Sequence, residues 1–444
     1  MLMPAHRASS RRDRPARLTR ALAAGLACLA CLPAFAAAAG TAQPAPSAAA
    51  AGSAADAAYR RGAQALASND DAAATRAFQD ALAADAKYVP AMLGLAELAF
   101  RQKQHAQAAE WIHKAVKTDP RNADAQASLG RLLLASGKSK EGEQALRAAM
   151  ELDAKAVRPR MDLADVQLAR GEAAAALPLY REVLVIDPTH AGAHYALGLA
   201  LARTGDAAGA RRSLDEAARL APRNPLPLVA LGRLHLGQGD AAAALKSADQ
   251  ALALHAASLD AQMLRGQALA SANRIDDAVA AFEAASRAAP KLGAPLVELG
   301  MLEQRRNRTD AARAHYQRAI EIDPRSAVAY NNLAALSAEQ KRDLAKAQAW
   351  ARKAVELAPA QAQFQHTLGT VLHAAGQPRA ALQPLAQAVK LAPGDAQMHY
   401  DLARAQADSG QRPQARVSVK KALSLSQSFA SVEQARKLLA ELGG

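Results

Sequence analysis

The 444-residue sequence predicts an all-α protein built from about eleven consecutive helix pairs. Three observations support this prediction: the composition, a period of 34 residues, and the absence of alternating strand patterns. Hydrophobic residues make up 51% of the chain but aromatic residues only 3%, and alanine supplies the excess. Because alanine has the highest helix propensity and lets helices approach closely, this composition favours packed helices.

Small residues recur along the chain with the period of 34 residues. Seven glycines of this series stand 68, 68, 34, 34, 34 and 69 residues apart, and alanine occupies the places that these intervals skip. The prolines follow the same spacing, so two independent series define one unit. Both series place a single extra residue within Lys341–Leu344. The recurring small residues are Gly62, Ala96, Gly130, Ala164, Gly198, Gly232, Gly266, Gly300, Ala334, Gly369 and Ala403.

This series resembles the tetratricopeptide repeat, a 34-residue unit with small residues at its eighth, twentieth and twenty-seventh places and proline near its end. In the first repeat, Ala74 and Ala81 occupy the twentieth and twenty-seventh places. The resemblance covers residues 55–429 and implies a right-handed α-solenoid of about eleven helix–turn–helix units, each with a helix A and a helix B. Asparagine or glycine at the fifteenth place, as at Asn69, is typical of the left-handed residue that ends a helix. An amphipathic helix in residues 430–444 is expected to cap the last unit.

The N-terminal residues resemble an export signal. Residues 1–36 contain an arginine-rich region, a short apolar stretch and a site with small residues at positions 34 and 36, which is typical of a cleaved signal peptide. The same segment also allows an uncleaved anchor through residues 21–39, or a lipid attached at Cys28. Residues 37–54 are rich in alanine, proline and serine and are expected to form a flexible linker. We therefore expect a periplasmic or secreted protein.

No catalytic or metal-binding motif is recognisable in the sequence. The formal net charge is +14, but basic and acidic residues alternate, without the basic stripe and interleaved aromatics typical of nucleic-acid binding. His366 and His373 lie seven residues apart without a third ligand, so we interpret them as polar groups of a binding surface. We expect no enzymatic activity, cofactor, bound metal, small-molecule substrate or nucleic-acid partner, and membrane contact only through an N-terminal anchor.

The resemblance implies that partners bind in a concave groove, lined by the second, fifth, ninth, twelfth and thirteenth places of helix A. Arginine, tyrosine and methionine at these places suit the recognition of an extended peptide. The alternative is that the arginines only keep the surface soluble. The predicted peptide-binding residues are Phe100, Arg101, Arg131, Arg158, Met161, Tyr195, Arg203, Arg233, Arg305, Asn331, His366, His373, Tyr400 and Arg404.

Three functions are compatible with these observations. The first is a scaffold or assembly factor of the bacterial cell envelope that binds protein or peptide partners. The second is a periplasmic chaperone-like holder of extended clients. The third is a subunit that recognises substrates for a separately encoded enzyme. A solenoid fold hosts many functions, so the repeat pattern does not rank them.

Overall fold

The computed structural model describes residues 54–443. The predicted signal segment and nearly all of the predicted linker therefore lie outside the described residues, and the first helix begins at Ala54. The chain divides into two compact units, with the boundary after Gln238. Within residues 54–443 the regular elements are all α-helices, which confirms the predicted all-α class.

The first unit contains eleven of the described helices, and the second contains twelve. Those of the first unit are α1 (Ala54–Ala67), α2 (Asp71–Ala84), α3 (Val89–Arg101), α4 (His105–Thr118), α5 (Ala123–Ala135), α6 (Ser139–Leu152), α7 (Val157–Ala169), α8 (Ala173–Ile186), α9 (Ala191–Thr204), α10 (Ala207–Leu220) and α11 (Leu226–Gly237). Those of the second are α12 (Ala241–Leu254), α13 (Leu259–Ser271), α14 (Ile275–Ala288), α15 (Ala294–Arg305), α16 (Thr309–Ile322), α17 (Ala327–Glu339), α18 (Leu344–Leu357), α19 (Ala362–Ala374), α20 (Pro378–Leu391), α21 (Ala396–Asp408), α22 (Arg412–Leu425) and α23 (Val432–Glu441).

Neighbouring helices pack against each other throughout each unit. Within each unit, every helix contacts the next one along the chain, and in the first unit each odd-numbered helix also contacts the next odd-numbered helix. The odd-numbered helices α1 to α21 are the predicted A helices, and the even-numbered helices α2 to α22 are the B helices. Because the helices stack on their sequence neighbours, each unit is an all-α solenoid.

The glycines at the eighth place make room for a side chain sixteen residues later. A Cβ atom added to Gly300 would lie 2.4 Å from a ring carbon of Tyr316, which is fully buried. The same relation joins Gly62 to Phe78 and Gly266 to Phe282. The small residue of helix A is therefore the hole, and the large residue of helix B is the knob, of the core in each repeat.

The turns between helix A and helix B contain a left-handed residue, as predicted. Asn69, Asn273 and Asn307 have φ angles of 59°, 60° and 60°. Lysine occupies the same place at Lys103 and Lys341, at φ angles of 59° and 51°. The repeat geometry demands this conformation even where the local cost for a side chain is about 1 kcal/mol.

The final helix, α23, covers the end of the second unit. Ala435 is buried, and Leu438, Leu439 and Leu442 pack against the same cluster as Tyr400. The remaining side chains of the helix include Glu433 and Arg436, whose charged groups lie 2.6 Å apart at the surface, and this polar side suits a solenoid end.

Candidate functional site

The predicted binding residues lie on the A helices of both units. We call the surface formed by the second, fifth, sixth, ninth, twelfth and thirteenth places of these helices the helix-A face, and describe it separately for each unit. Consecutive A helices are connected across this face by side chains that reach to a neighbour about one repeat away. These connections determine which of the predicted residues remain available to a ligand.

Arginines at the thirteenth place bond to the end of the preceding helix A. Arg101 donates to the carbonyl oxygen of Leu66 at 3.2 Å, and Arg203 donates to that of Leu168. In the second unit Arg305 donates to the carbonyl oxygen of Ala270 at 3.3 Å. Each of these carbonyls also accepts a hydrogen bond from the backbone N–H three residues later, so the guanidinium is a second donor at the end of that helix. These three arginines therefore connect consecutive repeats.

The ninth and sixth places of consecutive A helices form a second kind of connection. In the first unit Arg131 lies 3.3 Å from a carboxylate oxygen of Asp162 and donates to the Ser128 hydroxyl at 3.0 Å. Burial and the nearby guanidinium of Arg158 lower the pKa of Arg131. Arg158 itself is exposed on α7.

The other predicted residues of the first unit differ in exposure. Phe100 is 37% exposed at the end of α3, with its ring centroid 6.0 Å from that of His105. Met161 and Tyr195 are partly buried and pack against neighbouring hydrophobic clusters. Arg233 is exposed on α11. Among the phenylalanine, tyrosine and tryptophan residues of the range 54–443, Phe100 is the most exposed.

Two histidines of the second unit form parallel pairs with aspartates of the next helix A. The Nε2 atom of His366 lies 2.8 Å from Oδ2 of Asp401, and that of His373 lies 2.7 Å from Oδ2 of Asp408. These contacts join α19 to α21 at two points, seven residues apart on each helix. They assign both histidines to connections between repeats.

Tyr400 and Arg404 lie beside the capping helix. Tyr400 is only 6% exposed, because α23 and Phe429 cover its ring, so it offers little surface to a peptide. Arg404 lies over that ring, 5.8 Å from its centroid, and 3.7 Å from a carboxylate oxygen of Asp401. A polar cavity of about 310 Å³ opens between α21 and α23 at this point.

Asn331 is buried rather than surface-exposed, in contrast to its predicted place in an open groove. It is 5% exposed, its side-chain nitrogen donates to Oδ1 of Asn332 at 3.2 Å, and its own Oδ1 has no hydrogen-bond partner among the described residues. A buried amide oxygen without a donor is costly and is rare in folded proteins.

Sequence reasoning missed Glu298, an ionisable group of this face whose pKa is shifted. Glu298 lies at the sixth place of α15 and accepts a hydrogen bond of 3.2 Å from Gln267 on α13. Burial raises the pKa of its carboxyl, and the only opposing effect is the hydrogen bond from Gln267. Burial is a three-dimensional property, and the sequence around Glu298 contains no signal for it.

The described residues contain no helix with the length and apolar character needed to cross a bilayer.

The chain is similar to several solved structures at low sequence identity. A search of curated proteins gives no significant match. Among solved structures, the chain is similar to Cut9 in the APC/C hetero-tetramer Cut9–Hcn1, with 14% identity over 87% of this chain and 96% of the other and a TM-score of 0.49. For yeast Tom70 the values are 17% identity, 88% and 95% coverage, and a TM-score of 0.47. YrrB, described as a TPR protein with an unusual peptide-binding site, is 22% identical over 43% of this chain and 98% of the other, with a TM-score of 0.34.

Sequence models of one family match both units. A model described as tetratricopeptide repeat matches residues 127–191, 161–225, 229–292 and 366–426, and three further models with that description or that of TPR repeat match residues 65–132, 303–341 and 327–361. Repeat solenoids of this kind typically present an extended surface to protein or peptide partners and are typically non-catalytic. Because these models together match most of residues 65–426, the protein belongs to the tetratricopeptide repeat family and has the architecture of a protein–protein interaction scaffold.

Proposed function

We propose that this protein is a non-catalytic scaffold or assembly factor of the bacterial cell envelope, which binds extended protein or peptide segments on its helix-A faces. The repeats supply the binding surface, and the arginine-rich and apolar N-terminal residues supply the reason for an envelope location. A partner would contact several A helices at once, because the same places recur in every repeat.

The observation that carries this proposal is the exposed ring of Phe100. Large side chains on helix B, such as Phe78 and Tyr180, are buried in the repeat core. Phe100 instead lies on helix A and is 37% exposed, and Arg158, also in the first unit, is exposed. Aromatic and arginine side chains dominate the binding energy of many protein interfaces, so we expect a partner that lies along the first unit to contact Phe100.

Site-specific photo-crosslinking tests the binding surface. A photoreactive phenylalanine analogue in place of Phe100 is expected to crosslink to an envelope protein in intact cells, because a bound segment must cross the helix-A face. The matched control is the same analogue in place of Val185, which is 83% exposed on helix B of the same unit. The crosslinked species are separated by electrophoresis and identified by mass spectrometry.

The crosslinking pattern also separates the three functions. One dominant product supports the scaffold, many unrelated products support a holder of extended clients, and a product with an enzyme supports a recognition subunit. Equal crosslinking from both positions would remove the assignment of binding to the helix-A face.

The envelope location has its own test. We expect signal peptidase to cleave after Ala36, so that the purified protein begins at Ala37 and no longer contains the cysteines at positions 28 and 31. N-terminal sequencing and intact mass measurement check this expectation in protein isolated separately from periplasmic, membrane and cytosolic fractions. A chain that keeps Met1 and remains in the cytosol would contradict the envelope assignment, and a lipid mass on Cys28 would replace the soluble form with an anchored one.

A further inference from the structure

One connection on the helix-A face lacks the cation that its counterpart has. In the first unit, the ninth place of one helix A and the sixth place of the next are Arg131 and Asp162, which form an ion pair at 3.3 Å. Between α13 and α15 of the second unit, the same two places are occupied by Gln267 and Glu298. These residues are also 31 positions apart and are joined by a hydrogen bond of 3.2 Å. The carboxylate is retained in the second unit, but glutamine replaces the arginine.

Within residues 54–443, no arginine, lysine or histidine forms an ion pair with Glu298, and its hydrogen-bond partner is the neutral amide of Gln267. Burial raises the pKa of its carboxyl, and the hydrogen bond from Gln267 is the only opposing effect. A carboxylate withdrawn from water without a counter-ion is destabilised, and a cation that enters the site relieves this cost.

The next helix A also has an unused acceptor. The Oδ1 atom of Asn331 on α17 lacks a donor, although the side chain is 95% buried, as its 5% exposure shows. Met263 and Met301, on α13 and α15, pack at the edge of the adjoining hydrophobic cluster. Methionine is flexible and adapts to the methylene groups of long side chains. This part of the molecule therefore combines one negative charge, adaptable apolar atoms and, below the surface at α17, an acceptor without a donor.

We propose that the helix-A face of α13, α15 and α17 binds a lysine or arginine side chain of an extended peptide, with the Glu298 carboxylate as its counter-ion. This inference rests on the proposed function, since it assumes that a peptide lies along the helix-A face. The ligand cation takes the place that Arg131 occupies in the first unit. Its aliphatic stem lies against the methionines, and the partner is therefore a segment with a basic residue.

A peptide selection tests this proposal. The immobilised full chain is exposed to a phage-displayed library of random dodecapeptides, and the selected peptides are sequenced. Lysine and arginine are expected to be enriched about fivefold over the starting library at one position, the ratio that one partly exposed ion pair supplies. Glu298→Gln keeps the shape of the side chain and removes the charge, so the enrichment is expected to disappear.

A second variant tests the same site in the opposite direction. Gln267→Arg supplies an internal cation at the place of Arg131, so it is expected to abolish the selection of basic residues while Glu298 remains. The matched control is Glu321→Gln on α16, which removes an exposed carboxylate that pairs with Arg318 at 2.8 Å. This control is expected to select the same basic peptides as the unaltered chain.

The outcomes distinguish this proposal from the proposed function. If Glu298→Gln still selects lysine and arginine, the assignment of the counter-ion is wrong while peptide binding stands. If the unaltered chain selects peptides without basic residues, the basic partner is wrong. If neither the unaltered chain nor any variant enriches a peptide, peptide binding itself is overturned, and this proposal is overturned with it.

Discussion

Replacement of Gly300 by valine is expected to lower the stability of the second unit by about 3 kcal/mol, at the upper end of the usual cost of overpacking a core. A Cβ atom at this position would lie 2.4 Å from Cε1 and 2.7 Å from Cδ1 of Tyr316. The ring cannot move away easily, because it is fully buried and its hydroxyl donates to Gln304. The two branches of valine would add further clashes, so α15 and α16 would have to separate.

Hydrogen exchange measured by mass spectrometry checks this expectation helix by helix. Amides of α15 and α16 are expected to exchange roughly a hundredfold faster in Gly300→Val, because each 1.4 kcal/mol corresponds to a factor of ten. The control is Gly394→Val in the turn before α21, where an added Cβ meets no atom within 4 Å. Equal protection of α15 and α16 in both variants would contradict the knob-and-hole interpretation of the eighth place.

The position of Gly300 shows which part of the fold the sequence predicts. Its spacing from other small residues identifies the repeat, and the large residue sixteen places later, Tyr316, recurs with the same period. Periodic small and large residues define helix pairs and their order, because each repeat packs only on its neighbours. The all-α solenoid was therefore predictable in detail, including the left-handed residue between helices A and B.

The binding residues were less predictable, because a place on helix A does not determine what its side chain touches. The thirteenth place of helix A is associated with ligand binding in the tetratricopeptide repeat family. Arg101, Arg203 and Arg305 occupy this place, yet each donates to a carbonyl 35 residues earlier. One acceptor of each is a backbone atom, which the residue pattern does not record, although Arg101 and Arg305 also donate to the side-chain oxygens of Asn69 and Asn273. Glu298 was missed because its raised pKa comes from burial, and no ion pair joins it to a cation within residues 54–443.

The turn with the inserted residue is predictable in its position but not in the contacts that hold it. The sequence places it within Lys341–Leu344, and the structure has four residues between α17 and α18, where the corresponding turn after α15 has three. Lys341 and Asp343 both adopt left-handed conformations, with φ angles of 51° and 52°. The sequence does not indicate what holds this enlarged turn, because the side chain responsible, Arg313, belongs to the preceding repeat.

Arg313 on α16 holds the enlarged turn with three contacts. It donates to the Ser337 hydroxyl at 3.1 Å and to Oε1 of Gln340 at 2.7 Å, and it lies 3.6 Å from a carboxylate oxygen of Asp343. Its side chain is 8% exposed, whereas that of Asp343 is 41% exposed. Arg313 therefore connects a B helix to the last turn of the following A helix and to the left-handed residue before the next B helix.

Arg313→Met is expected to destabilise this region by about 2 kcal/mol. Methionine keeps much of the volume but leaves the fully buried Ser337 hydroxyl without its donor, which costs about 1–3 kcal/mol. Breaking a fully buried ion pair costs about 3–5 kcal/mol, but water can solvate the partly exposed Asp343 carboxylate, so we expect a smaller loss. The backbone amide of Arg342, which donates to the Ser337 carbonyl at 2.9 Å, reports directly on the turn.

Exchange of the Arg342 amide is expected to accelerate roughly thirtyfold in Arg313→Met, in proportion to the lost stability. Arg318→Met on the same helix is the matched control, because Arg318 is 63% exposed and its pair with Glu321 is worth less than about 1 kcal/mol. If both variants leave the Arg342 amide equally protected, the backbone alone holds the turn. If only Arg313→Met accelerates exchange of the Arg342 amide, the buried guanidinium of Arg313 holds the four-residue turn, and this is why the extra residue is tolerated.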